Sequence, residues 1–235
     1  MLYSNTIGTG KDLVLLHGWG FNGDLFNDLV VCYQSQYRIT VIDLPGHGRS
    51  DNIEGGIDQW CDEIIKILPD KPILLGWSLG GILAIHIANR IKLSQLILLA
   101  SSPKFVASDD WAYGINANNF RQFSNVLSLN LSKGLKRFVS LQSNNKTQLK
   151  SLNQSIDTLP ATQMALNQGL DILLTSDLRQ PFIQLKMPVH IILGRRDTLI
   201  PADIAKWYEQ HKISVTTLET GHLPFLHPDF ELRII

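Results

Sequence analysis

Gly76-Trp77-Ser78-Leu79-Gly80 follows the apolar run Ile73-Leu74-Leu75 and leads into Gly81-Ile82-Leu83-Ala84-Ile85-His86-Ile87-Ala88. The apolar triplet predicts a buried strand, and the run of small and apolar residues after the pentad predicts a helix. A serine at such a strand-to-helix turn is a candidate nucleophile. Small residues two positions to either side let the chain reverse sharply, so the hydroxyl stands clear of the sheet edge with backbone N–H groups beside it. A Gly-rich turn closing onto a helix would read the same way in isolation; the flanking strand and helix signals favour the catalytic reading.

Similar apolar runs recur: Leu13-Val14-Leu15-Leu16, Ile39-Thr40-Val41-Ile42, Leu96-Ile97-Leu98-Leu99 and Val189-His190-Ile191-Ile192-Leu193. Continuous rather than alternating apolar character suits strands covered on both faces. Helical patterns fall at 57–68, 81–90 and 202–210, the last opening after Pro201, a favourable helix start. Alternation of this kind specifies an α/β architecture with a mostly parallel sheet and helices on both faces. Residues 214–218 supply a final, weaker strand containing one Ser and two Thr, and residues 1–7 an edge strand before Gly8-Thr9-Gly10.

Between about 104 and 181 the buried-strand pattern disappears. Phe120, Phe123, Val126, Leu127 and Leu131 recur there at helical spacing. We expect a single domain over 1–235 with a helical cap inserted at about 104–181, since insertions at strand ends are where α/β proteins build pocket walls.

With 235 residues, of which 44% are hydrophobic, the chain is long enough to bury one substantial core. Formal net charge is zero, so no global charge argues for a nucleic-acid or membrane partner, and a monomer is expected. Cys32 and Cys61 lack metal spacing and read as isolated thiols of a reducing compartment. The N-terminus lacks the basic start and apolar stretch of a secretory signal, and no run approaches a membrane span, which together predict a cytoplasmic protein.

A serine hydroxyl needs an imidazole to take its proton, and that imidazole needs an acceptor to fix its tautomer. His222, in Glu219-Thr220-Gly221-His222-Leu223-Pro224, lies just beyond the last predicted strand, where a base is expected; His17, His47, His211 and His227 are rivals. Asp197 follows the predicted strand 189–193 through Gly194-Arg195-Arg196 and is the candidate acid, with Asp177 and Asp171 as fallbacks. The chain order Ser78, Asp197, His222 is that of the α/β-hydrolase superfamily. Two backbone N–H groups are candidates for the oxyanion hole: Leu79, directly after the nucleophile, and Trp19 in His17-Gly18-Trp19-Gly20. The Trp19 indole is also a candidate acyl-pocket wall. Asp43-Leu44-Pro45-Gly46-His47-Gly48-Arg49-Ser50 reads as a structural turn. The chemistry calls for no metal or organic cofactor.

His17-Gly18-Trp19-Gly20, the Asp43 to Ser50 run, Gly76-Trp77-Ser78-Leu79-Gly80-Gly81, Ala100-Ser101-Ser102-Pro103 and Asp177-Leu178-Arg179-Gln180-Pro181 together resemble the pimeloyl-[acyl-carrier protein] methyl ester esterase (BioH) family of biotin synthesis, over most of the chain. The resemblance implies the α/β-hydrolase fold, serine carboxylesterase activity and an acyl-carrier protein bearing the pimeloyl methyl ester as partner. In that family a Phe-x-x-Leu-Gln segment of the cap reaches the substrate; here it reads Phe138-Val139-Ser140-Leu141-Gln142, which makes Phe138 and Gln142 candidate substrate-binding residues, with Val139, Ser140 and Leu141 between them.

The charge pattern supports such a partner independently. From Trp111 to Ile156 the chain carries Arg121, Lys133, Lys136, Arg137, Lys146 and Lys150 and no acidic residue, a segregation that attracts an acidic partner. The resemblance implies carrier docking through basic cap side chains, here Lys133, Arg137, Lys146 and Lys150. Two departures from the family stand out: the weak strand at 214–218, and an end at Ile235, 13 residues past His222, which predicts a short or missing terminal helix. Other readings remain open at this point: a generic short-chain carboxylesterase, or a non-catalytic ligand-binding protein on the same scaffold. Dehalogenase chemistry, with a carboxylate nucleophile at the elbow, is disfavoured by Ser78.

Overall fold

The computed structural model describes residues 1–116, 118, 120, 122, 131–143 and 145–234, with side chains of 131–133 excepted. Arg121, Phe123, Val126 and Leu127, together with the side chains of Leu131 and Lys133, therefore lie outside the described residues.

Seven strands form one sheet in the order β1-β3-β2-β4-β5-β6-β7. They are β1 Ser4–Ile7, β2 Lys11–Leu16, β3 Tyr37–Ile42, β4 Ile73–Trp77, β5 Gln95–Leu99, β6 Val189–Gly194 and β7 Ser214–Leu218. Only β1 runs antiparallel, pairing Ser4 with Ile42 at the sheet edge; the five remaining pairings are parallel. The continuous apolar runs have the cause inferred from them. Every residue of β4 and β5 is buried, as are Leu13 to Leu16 of β2, because helices cover both faces. The weaker strand β7 is only partly buried, consistent with its edge position.

Helices α1 (Asn27–Tyr33), α2 (Ile57–Ile65), α3 (Leu79–Ala88) and α8 (Ile204–Gln210) join the strands, while α4 (Leu131–Ser140), α5 (Lys146–Thr158), α6 (Gln163–Thr175) and α7 (Arg179–Ile183) all lie between β5 and β6. Helix α3 is apolar on every side, and all its residues except His86 are buried. It is a core helix, not an amphipathic surface helix.

Sheet order fixes where a site can form. After β2 the chain crosses to β3 on one side, and after β3 it returns to place β4 on the other side of β2. The loops leaving the carboxyl ends of β2 and β4 therefore diverge and leave a crevice between them, the usual ligand position in open α/β sheets. His17-Gly18-Trp19-Gly20 leaves β2 and Ser78 leaves β4, so both line that crevice. No helix is described after His222. A short 3-10 turn, Pro224–Leu226, is followed by a tail whose Phe230, Leu232 and Ile234 pack on the core. The Leu232 N–H donates to the Tyr33 hydroxyl at 3.0 Å, and the Gln95 side chain donates to the Arg233 carbonyl at 3.0 Å.

Candidate active site

Ser78 adopts φ 54° and ψ −116°, a conformation side chains seldom take, at the junction of β4 and α3. Its surroundings hold it there. The Ser78 N–H donates to the Leu99 carbonyl at 3.0 Å, while its own carbonyl accepts from Gly81 N–H at 2.9 Å and from the Ser101 hydroxyl at 2.8 Å. The two motif glycines are needed for close approach: a Cβ on Gly76 would strike the Gly80 carbonyl, and one on Gly80 would strike the Leu16 and His17 carbonyls. Leu79 is the first residue of α3, so its N–H belongs to the helix-start groups that have no intrahelical acceptor.

The Gly18 backbone faces this elbow, since a Cβ built on it would lie 3.2 Å from the Ser78 Cβ. Trp19 is buried, and its indole N–H donates to the Leu166 carbonyl in α6 at 2.8 Å. Its ring meets Phe138 edge-on at 4.8 Å between centroids.

Asp197 and His222 leave the carboxyl ends of β6 and β7, and both side chains are fully buried. His222 Nδ1 and Asp197 Oδ2 are 2.7 Å apart. The other carboxylate oxygen, Oδ1, accepts from the N–H groups of Leu199 at 2.8 Å and Ile200 at 3.0 Å, so the acid is clamped before it meets the ring. With the carboxylate as acceptor, Nδ1 carries the proton and Nε2 is left as the basic nitrogen; it is buried and makes no hydrogen bond among the described residues. The His222 backbone is braced on both sides: its N–H donates to the Gln142 carbonyl at 3.1 Å, and its carbonyl accepts from the Trp77 indole at 2.8 Å.

A cavity of about 330 Å³ opens onto Ser78. Phe105, Ile115, Phe120, Leu170, Leu173 and Leu199 give it apolar walls, joined by Trp19, Phe138 and Leu141, with Arg137 and Thr198 among its polar lining. Phe138 and Leu141 thus line the same cavity as Ser78. The intervening positions differ: Val139 is in the core, the Ser140 hydroxyl caps its own helix at the Arg137 carbonyl, and the buried Gln142 side chain donates to the Phe138 carbonyl at 3.1 Å. Ser140 and Gln142 face a neighbouring groove that shares Leu141 and Thr198 with the cavity. Their placement follows from helix periodicity, because α4 ends at Ser140 and the chain turns there.

Among the basic residues, Lys136, Arg137, Lys146 and Lys150 are exposed on α4 and α5, which pack against each other. Of the fallback acids, the Asp177 carboxylate is engaged by Arg179 at 2.7 Å and Lys104 at 3.0 Å, and Arg179 also bridges to Asp110. These charge-assisted bonds hold Asp177 far below the usual carboxylate range. The Asp177-Leu178-Arg179 run thereby ties the segment leaving β5 to the segment returning to β6. The rival histidines have other work: His211 bonds its own helix at the Trp207 carbonyl, His227 Nδ1 accepts from the Asp229 N–H at 3.2 Å, and His17 and His47 are buried beside one another.

Sequence reading missed three supports of this site. The Ser101 hydroxyl pins the elbow, the Trp77 indole pins the base loop, and the Tyr208 hydroxyl donates to the Ser101 carbonyl at 2.9 Å. Ser101 and Trp77 sat within quoted motifs, but only the contacts disclose what they do. Among the described residues no cluster of three or more His, Cys, Asp or Glu side chains could hold a metal ion, and no helix is long and apolar enough to cross a membrane.

Residues 13–232 match the model of the alpha/beta hydrolase family. The chain is 36% identical over 240 residues to the pimeloyl-[acyl-carrier protein] methyl ester esterase of Pseudoalteromonas atlantica, covering 96% of this chain and 92% of that protein. It is 38% identical over 236 residues to the protein of the same name from Shewanella woodyi, with the same coverage. Among solved structures, an esterase from Exiguobacterium antarcticum superimposes with a TM-score of 0.88 over 96% of this chain and 90% of that one, at 23% identity, a likeness of fold.

Proposed function

The chain belongs to the alpha/beta hydrolase family, and on that premise we propose that it is a serine carboxylesterase hydrolysing the methyl ester of pimeloyl-[acyl-carrier protein], which frees the distal carboxylate in biotin synthesis. The reading is carried by a serine of strained backbone lining an apolar cavity, a buried Asp197–His222 pair whose His222 carbonyl is held by the indole of the neighbouring Trp77, and exposed basic side chains on α4 and α5.

In this mechanism His222 Nε2 takes the Ser78 proton as Oγ attacks the ester carbonyl, and Asp197 stabilises the imidazolium that forms. The N–H groups of Trp19 and Leu79 hold the oxyanion, each worth a few kcal/mol of barrier. Collapse of the tetrahedral adduct breaks the bond to the methoxy oxygen, which leaves as methanol with the proton from His222. Water then attacks the acyl-enzyme with His222 again as base, and Ser78 Oγ departs with its proton restored. Ester and water are consumed, and carboxylic acid and methanol are produced. Nothing in this sequence requires a cofactor.

The helices between β5 and β6 act as a cap over the elbow. The acyl chain lies against Trp19, Phe138, Leu141, Leu170 and Leu173, and Arg137, at the cavity and on the exposed face at once, links it to the carrier surface formed with Lys146 and Lys150. Lys133 joins this set through the family resemblance alone, its side chain lying outside the described residues. The enzyme so read is a cytoplasmic monomer with no nucleic-acid or membrane partner.

The test compares methyl pimeloyl-carrier protein with its free methyl ester and with p-nitrophenyl esters, at low and high salt. A preference for the carrier-bound ester, eroded by salt and by Lys146→Glu with Lys150→Glu, is expected. Turnover of simple esters equal to that of the carrier ester at every salt concentration would leave a generic carboxylesterase. No turnover and no fluorophosphonate labelling of Ser78 would leave a non-catalytic binding protein.

A further inference from the structure

His17 is fully buried and makes two hydrogen bonds through its ring. Nε2 lies 2.9 Å from the Leu44 nitrogen, and a backbone N–H can only donate, so Nε2 is an acceptor without a proton. The proton must then be on Nδ1, which donates to the Gly18 carbonyl at 2.8 Å. The tautomer is thus dictated by the backbone. The ring is kept neutral as well: burial lowers its affinity for a proton, Asp43 opposes that, Arg49 adds to it, and the neighbouring His47 is itself held neutral by burial.

The carbonyl that His17 grips belongs to the peptide linking Gly18 to Trp19. There are no cis peptide bonds among the described residues, and in a trans peptide the C=O and N–H point in opposite directions within one rigid plane. Fixing the Gly18 oxygen therefore fixes the direction of the Trp19 N–H. Since Gly18 itself backs onto the Ser78 Cβ, that plane stands beside the nucleophile.

We propose that His17 is the positioning residue of the oxyanion hole: its Nδ1–H, braced from behind by the Leu44 N–H, aims the Trp19 N–H at the oxyanion formed on Ser78. The inference rests on the esterase reading. It gives a task to a histidine that takes no part in proton transfer, and it explains why the turn after β3, which holds Leu44, packs against the loop after β2. Oxyanion stabilisation depends on donors aimed in advance at the place where charge develops, so loss of aim costs turnover more than it costs substrate binding.

Two isosteric substitutions separate this role from a merely structural one. In His17→Asn the amide nitrogen replaces Nδ1 and keeps the bond to Gly18 while that to Leu44 is lost; in His17→Gln the side-chain terminus replaces Nε2 and keeps Leu44, while the Gly18 carbonyl is left with the longer bond from the Phe21 N–H at 3.4 Å. Each loses one buried bond, so similar losses of Tm are expected. With p-nitrophenyl butyrate, His17→Gln is expected to lose roughly 10–100-fold in kcat with KM within about twofold, and the Ki of a trifluoromethyl ketone, which forms an oxyanion on Ser78, should rise by about the same factor. His17→Asn should recover kcat to within about fivefold of the unaltered protein. Equal kcat in the two variants, or a kcat loss in His17→Gln with inhibitor Ki unchanged, overturns the inference. Ser78→Ala, run alongside, keeps the two failures apart: full turnover there would overturn the esterase reading itself, whereas an inactive Ser78→Ala with equal His17 variants overturns only the role of His17.

Discussion

Asp197→Asn exchanges one carboxylate oxygen for an NH2 group and separates the two duties of this side chain. The carboxylate accepts three hydrogen bonds, from the N–H groups of Leu199 and Ile200 on Oδ1 and from His222 on Oδ2. An asparagine whose amide oxygen stays with the two backbone donors presents its NH2 to His222 Nδ1. That nitrogen must then accept, so the ring proton moves to Nε2, and His222 can no longer take the proton of Ser78. The shape of the site is preserved while its base is disabled. Loss of the correct tautomer in a Ser-His-Asp system lowers kcat by about 10⁴, equivalent to about 5.5 kcal/mol of barrier. We expect a fall of about 10³–10⁴ in kcat for p-nitrophenyl butyrate with KM changed little, because the cavity walls do not move. Thermal unfolding should shift by only a few degrees, as both backbone donors keep an acceptor. A fall of less than tenfold would refute the assignment of Asp197 and the tautomer argument with it. A large fall accompanied by a collapse of Tm would place the contribution of Asp197 in folding.

Further expectations follow from the packing. Gly80→Ala drives a methyl into the Leu16 and His17 carbonyls, which cannot yield without displacing β2, so a loss of about 1–3 kcal/mol, seen as a Tm several degrees lower, is expected alongside reduced activity. Buried His47 is held at about 3, against an ordinary value of 6.5, chiefly by burial, and His17 is lowered as well. A depressed folded pKa means that the unfolded chain binds the extra proton first; the stability linked to His47 is therefore fully present above about pH 6.5 and declines as pH falls toward 3, by up to about 1.4 kcal/mol per pH unit, with His17 acting in the same direction, a slope that denaturant titrations at stepped pH would measure. Leu173→Phe fills part of the cavity beside Ser78, so KM for p-nitrophenyl hexanoate should rise several-fold while acetate is unaffected; equal effects on both would place Leu173 away from the acyl path.

The sequence by itself determined the sheet and the chemistry of its elbow. Continuous apolar runs could only be strands covered on both faces; Ser78 and Asp197 each followed such a run and His222 followed the weaker strand at 214–218, at the carboxyl end of the sheet where loops from parallel strands collect. Those are local properties, written in hydrophobic period and in the turn-forming residues beside them. What lay beyond the sequence were contacts between segments far apart in the chain. The Trp77 indole reaches the His222 carbonyl 145 residues away, and the Trp19 indole reaches Leu166 across 147. The Phe138 to Gln142 segment shows the difference most clearly. A linear motif proposes five neighbouring substrate contacts, but a helix turns about 100° per residue and α4 ends at Ser140, so Phe138 and Leu141 reach the cavity while Val139 turns into the core and Gln142 bonds back to its own helix. The neutral, oriented state of His17 was likewise decided only when the Leu44 N–H arrived from another strand's turn, because a tautomer is fixed by its partners and not by the residue's name.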